Sequence, residues 1–263
     1  MNENSLPVKP EENLQNPGNK SGRRYFVRLN RSEINQHLIF VICFIILVIT
    51  GFMDKLPENI INKLGETKEI VFIVRGIVHR IAGVVMIMVS IYHIYYILFK
   101  PAGRRWLISM IMTIQDAKDF VSNMLYLLGI MDKEPEFDRF SYKHKFEYLA
   151  LIVGTTLMSV TGILLWTEQL WNKFYIDIAT LVHQMEAILA GMAIIIWHLY
   201  EVHFKPGESA PPGNMWLTGL MDEHHMKEEH PLHYKKIMAD PSLQKIYMKQ
   251  ENPLEDKKLM LFY

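Results

Sequence analysis

Apolar residues are concentrated in four blocks of the chain, at about residues 37–53, 70–99, 146–166 and 179–200. Each block is roughly long enough to cross a hydrocarbon layer of about 30 Å, which takes about 20 helical residues. Few charged residues lie inside the blocks, while the segments between them are rich in charge. We therefore predict an all-α integral membrane protein, a four-helix bundle in which the blocks form spans one to four.

Polar sequence surrounds the four blocks. Residues 1–22 and 206–214 are rich in Pro, Gly, Asn and Glu, which favours linkers or loops. The stretch from Trp216 to about Met248 is predicted to form short amphipathic helices on the membrane surface. We divide the chain into an N-terminal segment, a four-span domain and a C-terminal tail, at residues 1–30, 31–204 and 205–263.

Lysine and arginine are unevenly distributed among the polar segments. Their total of 28 equals that of Asp and Glu, and this zero net charge argues against a nucleic-acid partner. Six lie before span one, eight between spans two and three and eight in the tail, against three and one in the other two loops. The positive-inside rule therefore predicts that both termini and the middle loop are cytoplasmic.

Blocks two and four contain the same histidine pattern. Block two reads VHRIAGVVMIMVSIYHIYY from Val78, and block four reads VHQMEAILAGMAIIIWHLY from Val182. Each opens with Val-His and closes with aromatic-His-x-Tyr, and each follows a block with a Thr-Gly pair, at Thr50 and at Thr161. A duplicated helical hairpin is the economical explanation.

The histidine spacing predicts side chains at two levels of the bundle. The 14 residues from His79 to His93 leave an offset of about 40° and rise about 21 Å, so both lie on one helix face near opposite membrane surfaces. The 15 residues from His183 to His198 leave about 60° of the opposite sign. Since a π-type bulge would absorb the extra residue, we predict one between these two histidines.

Facing histidines inside a membrane favour haem as the bound group. Zinc normally takes four ligands with help from carboxylates or thiolates, whereas haem iron takes two axial ligands, commonly imidazoles. The single cysteine, Cys43, leaves no Cys-x-x-Cys-His motif for covalent attachment. Two levels of histidine therefore predict two b-type haems stacked across the bilayer, with ligand levels about 20 Å apart.

Other residues of spans two and four suit the same cofactor. Arg75 and Arg80, near the outer end of span two, are candidates to pair with the haem propionates. Snorkelling of these arginines to the interface is the alternative. Small residues would give the porphyrin room, although ordinary helix packing also explains them: Gly76, Gly83, Ala187, Ala190 and Gly191.

The inner level has more histidines than one haem needs. His37 begins span one at the level of His93 and His198, and His203 follows His198 by about one turn. The repeat symmetry pairs His93 with His198, but His37 and His203 lie at the same level. The residues alone leave the inner ligand pair open.

Four ordered stretches carry a resemblance to a known family. They are RLNRSEINQHLIFVICFIILVITGF at span one, RGIVHRIAG at span two, LVHQMEAILA with WHLY at span four, and TGLMDEHHMKEEHPLHYKKI in the tail. From about Arg28 to Ile237, this order resembles the four-span di-haem cytochrome b subunits of bacterial formate dehydrogenases. Relatives occur in nickel–iron hydrogenases and thiosulfate reductases.

The resemblance implies a set of axial iron ligands. His79 and His183 would hold the outer haem, and His37 and His198 the inner haem. His93 departs from the family pattern.

Residues left over at the inner level would then serve a quinone site. His93 or His203 would line it, or one of them would hold a third haem. Glu201 and the Trp216–Met221 loop are further candidates for this site. The tail histidines are interpreted as surface residues rather than a metal site: His224, His225, His230 and His233.

The resemblance also implies a function in a respiratory chain, in the cytoplasmic membrane of a bacterium or archaeon. The chain would be an electron-transfer subunit with little activity alone, linking the quinone pool to an iron–sulfur or multihaem subunit of a partner oxidoreductase. One alternative is a histidine-lined proton or metal-ion transporter, but Glu186 is the only carboxylate deep in a span. The other alternative is a membrane anchor without redox activity, which leaves the paired histidines unexplained.

Overall fold

The computed structural model of the protein describes residues 24–204 and 215–249. Within these residues, four helical segments are long and apolar enough to cross a membrane: Arg31–Lys55, Glu58–Phe99, Tyr142–Trp166 and Lys173–Val202. The predicted all-α membrane bundle with four spans is therefore confirmed. The linkers predicted at residues 1–22 and 206–214 lie outside the described residues.

The first part of the described chain contains the four spans. Its elements are β1 (Tyr25–Val27), α1 (Arg31–Phe52), a 3₁₀ turn (Met53–Lys55), α2 (Glu58–Ile61), a 3₁₀ segment (Asn62–Thr67), α3 (Lys68–Phe99), α4 (Pro101–Met110), α5 (Ile114–Leu127), α6 (Tyr142–Trp166), a 3₁₀ turn (Glu168–Leu170) and α7 (Lys173–Met192). Helices α1, α3 and α6 form spans one, two and three, and α7 begins span four.

Span four continues beyond α7 as π-helix. The π-helical segments are Ala193–His198 and Tyr200–Phe204. The first of them lies between His183 and His198 and includes His198, so the predicted π-type bulge is confirmed.

The described tail consists of short elements. They are α8 (Met215–Thr218), β2 (Leu220–Asp222), α9 (Glu223–Glu229), α10 (Pro231–Ala239), α11 (Pro241–Tyr247) and β3 (Met248–Lys249). The predicted short helices are present, while the two strands were not predicted.

The spans pack as two hairpins, α1 against α3 and α6 against α7. This pairing matches the repeat seen in the sequence. Many apolar side chains on the spans point outward, such as Ile49, Ile70 and Leu189, which are 60%, 64% and 62% exposed. In a membrane these side chains contact lipid, because lipid tails are as apolar as the side chains themselves.

Hydrogen bonds at the start of α1 set its register against α3. The Asn30 side chain accepts from the Glu33 N–H, and the Glu33 carboxylate accepts from the Asn30 N–H, which makes a capping box. The Tyr96 hydroxyl of α3 donates to Glu33 at 3.0 Å and accepts from Asn30 Nδ2 at 2.6 Å. The helices that carry His37 and His93 are thereby tied together at this end.

The described tail folds over the segment that precedes span one. Strand β1 pairs antiparallel with β2 and β3, and Phe26 is fully buried beside Met226. Gly219 has a φ of 72°, and its carbonyl accepts the Arg28 N–H at 2.8 Å. A Cβ at Gly219 would collide with the Leu29 carbonyl, so only glycine fits this turn. We call β1 together with residues 215–249 the cap.

Candidate functional site

The four histidines proposed as ligands form two facing pairs. His79 of α3 and His183 of α7 have ring centres 6.4 Å apart. His37 of α1 and His198 of span four also have ring centres 6.4 Å apart. We call these the first pair and the second pair.

The two pairs lie at different levels of the bundle. Gln36, which precedes His37, bonds to His93 of α3, so the second pair is at the level of His93. His79 lies 14 residues earlier in the same helix, which corresponds to about 21 Å. The first pair is therefore about 20 Å from the second along the bundle.

The spacing within each pair suits two imidazoles on opposite sides of one metal ion. A metal–imidazole bond is about 2 Å long and the ring centre lies about 1 Å behind the nitrogen, so the two ring centres would be about 6 Å apart. Ordinary edge-to-face contacts between rings also fall in this range. A metal site differs from an ordinary ring contact in one respect: each histidine must keep a ring nitrogen with a free lone pair for the metal.

Threonines of the repeated Thr-Gly pairs orient the first pair. Thr50 Oγ1 donates its proton to the carbonyl four residues earlier at 2.6 Å, so it accepts from Nδ1–H of His79 at 2.8 Å. Thr161 Oγ1 donates in the same way at 2.7 Å and accepts from Nδ1–H of His183 at 2.8 Å. Each imidazole therefore keeps its Nε2 lone pair for a metal, which is how partners of metal-binding histidines fix the tautomer.

The glycine that follows each threonine makes room for the ring. A Cβ at Gly51 would lie 3.5 Å from Cε1 of His79, and one at Gly162 would lie 3.4 Å from Cε1 of His183. An added methyl group would touch the ring at ordinary van der Waals distance, so each histidine ring lies directly against its glycine. The contacts of the Thr-Gly pairs with the histidines were not predicted. The only sequence signal for them is that each pair precedes a helix that carries the Val-His repeat.

The second pair has different partners. His198 Nδ1 lies 3.3 Å from the Glu147 carboxylate, which would strengthen the ligand character of the other ring nitrogen. His37 Nδ1 is buried and has no hydrogen-bond partner among the described residues. Lys143 and Glu201 form an ion pair of 3.1 Å one turn away from Glu147 and His198. The contact of Glu147 was not predicted, because it depends on how α6 is rotated against span four.

His93 is held by partners of its own. Its Nδ1 lies 2.8 Å from Gln36 Oε1, and its Nε2 lies 3.0 Å from the Tyr148 hydroxyl. Its ring packs edge-to-face on Trp106 and Tyr148, with ring centres 5.5 and 5.9 Å away. Both nitrogens are engaged, so His93 links α1, α3 and α6. The His203 side chain lies outside the described part of the chain.

The two arginines proposed for the propionates lie beside the first pair. Arg75 pairs with Asp54 at 2.6 Å and donates to the Thr50 carbonyl at 3.1 Å. The Arg80 guanidinium lies over the Trp166 ring, 5.7 Å from its centre. Their role toward a haem stays a prediction.

Glycines in spans two and four leave space beside the helix backbone. Gly191 of α7 is buried, yet a Cβ added there would meet nothing within 4 Å. A Cβ at Gly76 in α3, which is only partly buried, would also meet nothing within 4 Å, and a Cβ at Gly83 would lie 4.0 Å from Leu47. A flat, wide group such as a porphyrin can therefore approach both helices closely.

The described tail histidines do not gather at a metal site. Among residues 24–204 and 215–249, no cluster of three or more His, Cys, Asp or Glu side chains is arranged to hold a metal ion. The predicted surface position is wrong for His230 and His233, which are 2% and 7% exposed because they pack inside the cap. His230 accepts from Arg28 Nη2 at 2.9 Å and donates from Nδ1 to the Asp138 carbonyl at 2.7 Å. Because arginine can only donate, His230 must be neutral. Burial and the Arg28 charge lower the pKa of His230 well below its ordinary 6.5.

We expect the cap to loosen in acid. Hydrogen bonding from His233 lowers the pKa of Asp138, and burial lowers that of His230, so both groups bind protons more readily in the unfolded chain. The His230 contribution is therefore fully present above about pH 6.5 and is lost as the pH falls below it, whereas the Asp138 contribution is lost only as the pH falls below about 4. Protonating His230 breaks its bond to Arg28, at a cost of about 1.5–3 kcal/mol.

Amide hydrogen exchange measures the loss of stability as a fall in the protection of residues 220–247 between pH 7 and pH 5, after correction for the intrinsic exchange rates. His230→Gln is the matched control, because an amide can donate and accept at every pH, and its cap should lose less protection. Equal protection of the unchanged protein at both pH values would contradict the expectation.

A family model described as prokaryotic cytochrome b561 matches residues 28–208, which include all four spans and both histidine pairs. No curated protein matches the chain. The match covers more than half of the chain and confirms the predicted membership of the cytochrome b membrane subunits. Haem b and electron transfer within a membrane follow from that membership. The chain therefore belongs to the prokaryotic cytochrome b561 family, as a multi-pass membrane protein that carries haem b.

Proposed function

We propose that the chain holds two haem b groups, one at the first pair and one at the second, and moves electrons between them across the membrane. The observation that carries this proposal is the pair of facing imidazoles at each level, with ring centres 6.4 Å apart in both. When bound, each haem iron supplies reversible one-electron chemistry. The protein sets the separation of the two levels at about 20 Å, and the threonines orient the two imidazoles of the first pair.

The orientation in the membrane follows from the basic residues. The middle loop and both polar ends carry most of the Lys and Arg, which supports a cytoplasmic position for the second pair. The first pair would then lie near the outer surface. An iron–sulfur or multihaem subunit of a partner oxidoreductase would exchange electrons there.

Quinone would react near the second pair. A quinone needs a hydrogen-bond partner for its carbonyl and a route for protons, and polar groups suited to both gather at this level. The Tyr148 hydroxyl and His93 bond to each other, and Lys143 pairs with Glu201 close to His198. His203 and the Trp216–Met221 stretch remain candidates for the same site.

Haem content tests the proposal directly. Pyridine haemochrome analysis of purified, folded protein produced with haem available should give about two haem b per chain, with low-spin spectra. Three haems would assign a ligand role to His93 or His203. A folded sample without haem would contradict electron transfer and favour the transporter or the anchor. Two haems that a quinol cannot reduce under anaerobic conditions would contradict the quinone site alone.

Removing either orienting threonine should weaken haem binding at the first pair. Thr50→Val and Thr161→Val keep the side-chain shape but delete the acceptor for Nδ1–H of His79 or His183. Loss of such an outer partner typically costs about 10–100-fold in metal affinity. Haem transfer to apomyoglobin should therefore be faster from the first pair and unchanged from the second.

Thr156→Val is the matched control for this prediction. Thr156 also lies in α6 and its hydroxyl bonds to a carbonyl four residues earlier at 2.7 Å, but it is exposed and contacts no histidine. Its haem transfer should match that of the unchanged protein. Equal rates for all three variants would show that the threonines do not hold the ligands.

A further inference from the structure

Helix α5 exposes a continuous apolar face at the end of the bundle that carries the second pair. Ile114 is 80% exposed, Val121 54% and Leu128, just after the helix, 68%. These residues recur every seven positions, and Ala117 and Met124 lie between them. On an α-helix all five fall within an arc of about 100°.

The opposite side of α5 is anchored to span three. Asp116 is 5% exposed and pairs with Lys145 at 2.8 Å, and the Asn123 side chain, 2% exposed, donates to the Tyr142 hydroxyl at 2.8 Å. Thr113 also donates to Asp116 in a capping box at the start of α5. The rotation of α5 is therefore fixed, and its apolar face points away from the bundle.

The same contacts, Asp116 with Lys145 and Asn123 with Tyr142, also fix the position of α5 along the bundle axis. Lys145 and Tyr142 both belong to the first turn of α6, where the polar loop gives way to the membrane span. Asp116 and Asn123 are seven residues apart in α5, which corresponds to about 10 Å along that helix. Their partners Lys145 and Tyr142 are three residues apart in α6, which corresponds to about 4.5 Å. Both contacts hold α5 beside the first turn of α6, at the boundary between the polar loop and span three.

Helix α4, which connects α3 to α5, is held at the end of span two. A Cβ at Gly103 would collide with the Tyr96 carbonyl, so α4 packs tightly against the last turn of α3. The lipid-facing surface of the spans ends at this level with Phe99 and Phe146, which are 66% and 64% exposed. The apolar face of α5 lies near this level, because its anchors reach Tyr142 and Lys145 in the turn of α6 that precedes Phe146.

We propose that α5 lies in the interfacial layer of the membrane, with its apolar face against the lipid acyl chains. Helices with one apolar and one polar face and flanking basic residues bind lipid in this way. Lys118 lies beside the apolar arc, where its stem can follow the face while its ammonium reaches the head groups. Exposed basic side chains nearby suit anionic lipid: Lys100, Arg104 and Arg105.

Nitroxide labels on single cysteines test this placement in the full-length protein. With Cys43→Ala as the background, Val121→Cys and Leu128→Cys place a label on the apolar face. Gln115→Cys, on the exposed polar side of the same helix, is the matched control. Each variant is reconstituted in nanodiscs of neutral and anionic phospholipid, and power saturation measures collisions of the label with oxygen and with a water-soluble nickel chelate.

We expect labels at Val121 and Leu128 to collide with oxygen and lose collisions with the chelate, and the Gln115 label to do the reverse. Free access of the chelate to all three labels would place α5 in water and overturn the proposal. Exclusion of both reagents from Val121 and Leu128 would mean that a protein surface covers the face, which also overturns it. Because this readout needs no haem, its failure is separate from failure of the proposed electron transfer.

Discussion

His37→Ala is expected to reduce the haem content from about two per chain to about one, whereas His93→Ala should keep about two. His37 faces His198 with ring centres 6.4 Å apart, and its Nδ1 has no partner among the described residues. Both nitrogens of His93 already bond to Gln36 and Tyr148. Removing His93 should instead lower the free energy of unfolding by about 1–3 kcal/mol, since buried partners are left unpaired.

Pyridine haemochrome analysis with protein quantification measures the haem loss, and redox titration identifies which haem has gone. His79→Ala is the matched comparison, because it should remove the haem of the first pair and leave the other potential in place. Retention of both haems by His37→Ala, together with loss of one by His93→Ala, would show that His93 and His198 hold the haem at this level. That result would restore the ligand arrangement suggested by the repeat.

Inserting one alanine after Ile195 should also abolish haem binding at the second pair, whereas deleting Ile195 should preserve it. The π-helical segment Ala193–His198 absorbs one residue, so the 15-residue step from His183 behaves like the 14-residue step of α3. A deletion lets the helix become regular with His198 on the same face. An insertion gives a step of 16 residues, which would turn His198 by about 100° unless a second residue is absorbed.

Haem content and redox titration again provide the measurement for these two variants. Ile195→Ala is the control, because Ile195 is 61% exposed and its replacement changes neither the length nor the packed face. The insertion should leave about one haem, and the deletion and the control about two. Loss of haem on deletion would mean that the π-helical backbone itself is needed at the second pair.

The membrane architecture could be predicted because its signals are local. About 20 consecutive apolar residues identify a span without reference to the rest of the chain. The one-residue difference between the two histidine steps predicted the π-type bulge by the same kind of local reasoning. The repeat also predicted that His79 and His183 lie at the same level, because they occupy equivalent positions near one end of spans two and four.

Contacts between helices could not be predicted in the same way. The bonds of Thr50 to His79 and of Glu147 to His198 depend on the rotation of neighbouring helices, which hydropathy does not report. The strands of the cap are only two or three residues long, too short for an alternating pattern to be recognised. The role of His93 likewise depends on Tyr148 from another span.

The cap has a consequence for the order of events during synthesis. Strand β1 is made before the four spans, but its partners β2 and β3 are made after them, and Arg28 bonds to His230 across a separation of 202 residues. Domains fold as they emerge, so spans one to four are in the membrane before this sheet can close. The start of span one, and His37 with it, is therefore secured only after residues 215–249 have been translated. A nascent chain that stalls in the tail would have its first pair assembled while its second pair still lacked this closure.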